Sequence, residues 1–272
     1  LAGCGALLRT AGCGETGELM PRLEDQTFHQ FFQGVCERVP DALAFSADGK
    51  PYTYRELWEK SGCLARALLN AGLDRGERVG LWLPNSVEYI LALLALCRAG
   101  AVAIPLNTRF RQADLKFLLQ HSQLAMLICP GTFLQTDFPE LLRQLAPDLR
   151  PRRNGECSTA YVPSLRRILA AATPPPSGFC SFWPFLNNGK DLPTERAEKV
   201  ERGVQPDDSC ILMYTSGSIS TPKGVLLKHA SCARKPTALA ERLKLRADDR
   251  FYTAMPLSHA AGLFSGWWLA VA

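Results

Sequence analysis

The sequence predicts an α/β fold, with mostly parallel sheets flanked by helices. Two observations carry that prediction. Between 78 and 129, short apolar runs alternate with longer segments of helical periodicity, the pattern of a doubly wound sheet whose strands are joined by helices. The 272 residues are 47% hydrophobic, 21% charged and 9% aromatic, a balance that can bury a core and is unlike disordered, collagenous or coiled-coil chains.

The first nineteen residues are rich in Gly and Ala and lack periodicity, so 1–26 reads as a variable or disordered tail in which Met20 is a candidate start. Helix is expected over 27–39, where Phe28, Phe31, Phe32 and Val35 share one face and Pro40 closes the segment. A short strand over 42–46, an Asp48-Gly49 turn and a returning strand over 51–53 make a hairpin. Thr53 with Glu56 forms a capping box for a helix that runs to about Gly72. A strand over 78–83 precedes a helix capped by Asn85 or Ser86, with Tyr89, Leu93 and Leu96 on its apolar face and Gly100 at its end. Then come a buried strand over 101–105, a helix over 112–121 and a strand over 124–129.

The pattern breaks over 151–193, where Pro174-Pro175-Pro176 and the aromatic residues Phe179, Phe182, Trp183 and Phe185 sit among Ser, Gly and Asn. This stretch reads as a loop or insertion, with an aromatic lid as the functional alternative. Order resumes with a strand over 209–214. The domain division is therefore a tail at 1–26, an α/β subdomain at 27–150, a Pro-rich irregular segment at 151–205 and the start of a second subdomain at 206–272. The apolar end, Trp267 to Ala272, lacks the usual polar tail, and a truncated chain is expected.

The net charge of +5 suits an anionic small molecule and lacks the clustered basic face that nucleic acid needs. The apolar run from Ile90 to Cys97 is too short for a bilayer. Ten cysteines occur, none in a Cys-x-x-Cys pair, so reduced core thiols are expected rather than zinc. That usage points to a cytoplasmic protein, with mitochondrion and peroxisome left open.

Chemistry concentrates in Tyr214-Thr215-Ser216-Gly217-Ser218-Ile219-Ser220-Thr221-Pro222-Lys223-Gly224, between a strand and the apolar run Val225-Leu226-Leu227. The hydroxyls of Thr215, Ser216, Ser218, Ser220 and Thr221 and a row of backbone N–H groups can form an anion-binding concavity. Gly217 and Gly224 would allow tight or left-handed bends, and Lys223 adds a compact cation. A Walker A loop requires Gly before the Lys and Ser or Thr after it, whereas Pro222 and Gly224 flank Lys223, which disfavours a P-loop phosphohydrolase. The bland alternative is a Ser/Thr/Gly turn at an exposed tip.

At these residues the chain resembles the adenylate-forming superfamily of acyl-CoA synthetases, whose phosphate loop reads Tyr-Thr-Ser-Gly-Thr-Thr-Gly-x-Pro-Lys-Gly. Three further segments match in order: Tyr52-Thr53-Tyr54-Arg55-Glu56-Leu57, the stretch 98–107, and Pro256-Leu257-Ser258-His259-Ala260-Ala261-Gly262. The resemblance implies the partial N-terminal domain of an enzyme that joins a carboxylate to ATP as an acyl-adenylate, with Mg²⁺, and passes the acyl group to coenzyme A. Thr215, Ser216, Gly217, Ser218 and Lys223 would then cradle the β- and γ-phosphates, with Ser220, Thr221 and Gly224 completing the loop and Ser218 approaching the metal. Lys223 and His259 are the candidate catalytic residues, with His259 a contact beside the acyl and pantetheine channels rather than a general base. The stretch 98–107 reads as scaffold.

Ser220 replaces the family's second loop glycine, and the family's adenine, ribose and C-terminal-lysine segments have no counterpart in these residues. Two readings stand: part of an acid–thiol ligase acting on fatty or aryl acids, or a non-catalytic nucleotide-binding or interaction module derived from one.

Overall fold

The computed structural model describes residues 6–9, 25–110, 112–215, 222–246 and 248–271. Its elements run β1 (Ala6–Arg9), α1 (Phe28–Arg38), β2 (Leu43–Ala47), β3 (Lys50–Thr53), α2 (Tyr54–Asn70), β4 (Arg78–Leu81), α3 (Val87–Arg98), β5 (Val102–Pro105), α4 (Gln112–Ser122) and β6 (Met126–Pro130). The hairpin β7 (Thr132–Phe133) and β8 (Thr136–Asp137), helix α5 (Phe138–Leu145) and the hairpin β9 (Arg150–Pro151) and β10 (Cys157–Ser158) follow. Then come β11 (Arg167–Ala171), β12 (Cys180–Ser181), α6 (Phe182–Asn188), α7 (Thr194–Gly203), β13 (Ser209–Thr215), β14 (Lys223–Lys228), α8 (His229–Leu243) and β15 (Arg250–Thr253). The last turns are α9 (Ala260–Gly262), a π-helical turn (Leu263–Trp267) and α10 (Trp268–Val271).

A seven-stranded sheet in the order β12-β11-β6-β4-β5-β13-β14 forms the frame. Every pairing in it is parallel except β13 with the edge strand β14. Successive side chains of a strand point to opposite faces, and that alternation divides the core. Met126 and Ile128 of β6 pack with α1, α2 and α3, whereas Leu127 and Cys129 pack with α4 and α5. Because both faces are covered, these strands read as unbroken apolar runs. Helix α3 is buried almost all round, from Val87 to Cys97, and is the hub of one layer. A second, four-stranded antiparallel sheet has the order β15-β1-β2-β3.

The local signals landed where chain-local physics decides. Thr27 and Thr53 each complete a capping box, with Gln30 and Glu56 respectively. Gly72 and Gly100 take the left-handed backbone expected after helices α2 and α3, with φ of 85° and 65°. Arg98, at the start of the stretch read as scaffold, stacks over the Trp58 ring at 3.7 Å, donates to the Trp58 carbonyl at 2.7 Å and pairs with Glu201 at 2.9 Å. It ties α2, α3 and α7 together. The cysteines among the described residues are free, and all but Cys180 are buried.

Two expectations are corrected. The segment 151–205 is not an irregular insertion: β11 lies inside the sheet between β6 and β12, Phe179, Phe182 and Phe185 are buried in the core, and the half-buried Trp183 donates to Glu88 at 2.9 Å, so the four form no lid. A five-residue buried strand between proline-rich flanks has neither the length nor the alternation to announce itself, since its partners are distant in the chain. The tail expected over 1–26 is also ordered in part. Ala6–Arg9 pairs antiparallel with β15, Ala6 opposite Thr253 and Arg9 opposite Arg250, because an edge strand offers unpaired backbone groups to any extended segment.

Candidate active site

Strands β4, β5 and β13 run parallel, so the C-terminal end of β13 and the C-terminal end of β4 meet the same edge of the sheet. In open α/β sheets that edge is where ligands bind. Strand β13 delivers Thr215 to it, and β14 returns with Lys223 directly opposite Thr215 and Gly224 opposite Tyr214. The Thr215 hydroxyl donates to the Lys223 carbonyl at 3.4 Å, closing the base of the hairpin. Lys223 is exposed and, among the described residues, forms no ion pair, so its ammonium is available to an anion. Ser216, Gly217, Ser218, Ser220 and Thr221, named above for phosphate and metal binding, lie outside the described residues. Among the described residues no group of three or more His, Cys, Asp or Glu side chains is placed to hold a metal ion.

Gly224 does not make the bend expected of it. It lies within β14, and a Cβ there would meet Leu212 Cδ1 at 2.9 Å and the Tyr214 ring at 3.5 Å. Its backbone is not left-handed, and a side chain there would need only the flexible end of Leu212 to shift. The Tyr214 hydroxyl in turn lies 2.8 Å from Nδ1 of His121 on α4, whose ring stacks on Phe117. Burial pushes the Tyr214 hydroxyl pKa up, which keeps it a neutral hydrogen-bonding partner. The hairpin base is thereby clasped from the α4 side, a contact that sequence spacing alone could not have found, because 93 positions separate the two residues.

His259 occupies the N-cap of α9. Its Nδ1 accepts the Ala261 N–H at 3.2 Å, and its own N–H donates to the Pro256 carbonyl at 2.9 Å. A neutral ring accepting at Nδ1 carries its proton on Nε2, so the exposed imidazole is a donor on its free side. Gly262 is buried against the same turn.

What fixes this turn was missed in the sequence. Asn85, four residues beyond the end of β4, accepts the Leu257 N–H at 2.7 Å and donates to the Met255 carbonyl at 2.9 Å. The buried Tyr89 hydroxyl donates to the Leu257 carbonyl at 3.0 Å. Ser86, not Asn85, caps α3, its hydroxyl accepting the Tyr89 N–H at 3.4 Å. A tyrosine within an otherwise aliphatic helix face was the one available signal, since a buried hydroxyl needs a partner. The β13–β14 hairpin and the His259 turn therefore approach one sheet edge, from β13 and, through Asn85, from β4.

The chain is similar to known proteins in both sequence and fold. The chain is 27% identical over 248 residues to the medium-chain acyl-CoA ligase ACSF2, mitochondrial, of Danio rerio, a match covering 90% of this chain and 41% of the relative. It is 28% identical over 226 residues to the acyl-CoA ligase sidI of Aspergillus fumigatus, covering 83% of this chain and 37% of that protein. The apo structure of Mycobacterium smegmatis MbtA shares the fold, with a TM-score of 0.71 at 24% identity over 90% of this chain and 42% of that one. The chain thus spans about two-fifths of the length of the curated relatives it matches. The profile of the AMP-binding enzymes matches residues 32–272, and the chain belongs to that family.

Proposed function

We propose that the chain is the phosphate-gripping part of an ATP-dependent carboxylate–CoA ligase, which forms an acyl-adenylate and then an acyl-CoA thioester. The observation that carries this reading is the β13–β14 hairpin, which holds Lys223, without an ion pair among the described residues, across from Thr215 at the ligand edge of the sheet. In the first step a carboxylate oxygen attacks the α-phosphorus of ATP and pyrophosphate leaves. Charge builds on phosphate oxygens, and fixed N–H, hydroxyl and ammonium donors stabilise it without reorganising. Lys223 and the 215–221 donors take that role, with Ser218 assigned to the metal. Mg²⁺, when bound, neutralises part of the triphosphate charge. In the second step the CoA sulfur attacks the acyl carbonyl and AMP leaves, and His259, a donor through Nε2, contacts this end of the substrate.

Lys223→Ala tests the assignment. MgATP binding to the chain, measured calorimetrically, is expected to weaken at least tenfold, or about 1.4 kcal/mol; unchanged affinity removes Lys223 from the phosphate site. Because the chain spans only part of its relatives, a nucleotide-binding module without turnover is the second reading. Reading the coding sequence past Ala272 decides between the two: an in-frame Tyr-Gly-x-Thr-Glu followed by Thr-Gly-Asp supports the ligase and an authentic stop codon supports the module, while the 272 residues by themselves are expected to form no acyl-hydroxamate from ATP and fatty or aryl acids.

A further inference from the structure

We propose that Asn85 is a positioning residue for His259, acting through the backbone of residues 255–257; this rests on the ligase reading of His259. The carboxamide bridges the carbonyl of Met255 and the N–H of Leu257, at 2.9 and 2.7 Å. Those two groups flank Pro256, the bonding that a parallel neighbouring strand makes to residues on either side of a central one. The central residue then needs no N–H, and Pro256 has none. Tyr89 completes the brace by donating to the Leu257 carbonyl at 3.0 Å, so both backbone polar groups of the fully buried Leu257 are tied to α3 or to the loop before it.

Only an amide head carries donor and acceptor side by side. Aspartate at 85 would keep the bond from Leu257 N–H but set a carboxylate oxygen against the Met255 carbonyl, and glutamine is one methylene too long. Two residues beyond the brace, His259 donates its N–H back to Pro256, and its ring caps the Ala260–Gly262 turn. The imidazole is thus exposed while the chain under it is clamped. Nothing in the core explains the arrangement: Ser86 does the capping, and Asn85 itself is only half-buried. The clamp orients an exposed imidazole on the ligand edge and selects its Nε2–H tautomer.

The test uses the whole 272-residue chain. Backbone hydrogen exchange is followed in peptides covering 255–263 and in β4–β6, and the ¹⁵N shifts of the His259 ring report its tautomer. In the unaltered chain the ring is expected to be Nε2-protonated at neutral pH. Asn85→Ala is expected to speed exchange over 255–263 at least tenfold, leave β4–β6 protected and shift the ring towards mixed tautomers. Asn85→Asp is expected to match Asn85→Ala, and Tyr89→Phe to give a smaller change of the same kind. A His259 ring and a 255–263 segment that do not respond to Asn85→Ala overturn the proposal, as does a uniform rise in exchange across the chain. Millimolar coenzyme A is then added to the unaltered chain. A shift of the His259 resonances supports both readings. No shift, with the Asn85→Ala effect intact, overturns the ligase reading of His259 and still supports the brace.

Discussion

Gly262 and Gly34 differ in what a methyl group would meet. At Gly262 an added Cβ would stand 2.2 Å from the Pro256 carbonyl oxygen and 2.7 Å from that of Met255, both backbone atoms of the turn that carries His259. At Gly34, in the middle of α1, the nearest atom is the flexible end of Arg38 at 3.7 Å. Backbone cannot move aside cheaply, so Gly262→Ala is expected to destabilise the protein by about 1–3 kcal/mol, the range of overpacked cores. Gly34→Ala is expected to stabilise it by about 0.5–1 kcal/mol through helix propensity alone. Denaturant midpoints of the two variants against the unaltered chain check both, and equal shifts of one sign would contradict the packing argument. The glycine of the Pro-Leu-x-His-x-x-Gly pattern is thus a steric requirement of the His259 turn.

Helix α2 owes its start to Thr53, whose hydroxyl accepts the Glu56 N–H at 3.2 Å while the Glu56 carboxylate accepts the Thr53 N–H at 2.9 Å. Thr53→Ala is expected to cost about 1 kcal/mol, measurable as a lower denaturant midpoint, and a neutral result would mean that tertiary packing alone sets this end. The same element shows why some of the fold was legible and some was not. Caps, glycine stops and the Asp48-Gly49 turn are decided within a few residues, so reading α1, α2, α3 and the β2–β3 hairpin needed only their own sequence. Strand β11 is decided by β6 and β12, which its five residues cannot reveal. The candidacy of 215–224 rests on local sequence, because hydroxyls, glycines and a lysine cluster in the chain. The Asn85 brace was not legible, because its partners lie about 170 positions away. Local rules named Lys223 and His259 as candidates, and long-range pairing set where the fold holds them.

Across the whole molecule, two histidines couple the fold to pH. His29 of α1 is buried with its Nε2 3.2 Å from the Thr27 hydroxyl, and its ring meets the His229 ring edge-on at 5.7 Å. His229 opens α8 directly after the phosphate hairpin, and its Nδ1 accepts the Phe28 N–H at 3.4 Å. Burial is the main cause that lowers both pKa values, to about 3 for His29 and about 4 for His229; the charge of His229 and then of Arg98 depresses His29 further, whereas at His229 the Asp208 carboxylate opposes burial and Arg75 adds to it. Unfolded, each would titrate near 6.5. Above that pH neither state takes up the proton and the histidines leave stability unchanged. Between about 6.5 and 4 the unfolded chain binds protons that the folded chain refuses, so stability falls as pH falls. At pH 5 the loss is ~2 kcal/mol for each histidine, from ~1.4 kcal/mol per pKa unit. Glu201, raised by burial beside Arg98, works in the opposite direction over its own lower range and offsets part of the loss. Denaturant unfolding at pH 7 and pH 5 is therefore expected to show a markedly lower stability at pH 5. His229→Asn, which keeps an acceptor for the Phe28 N–H, is expected to remove about half of the histidine share of that difference. A pH-independent midpoint, or a slope untouched by His229→Asn, would mean that the pair is solvated rather than locked between α1 and α8. Helix α8 continues directly from β14, so the contact between His29 and His229 lies at the opposite end of that strand from Lys223.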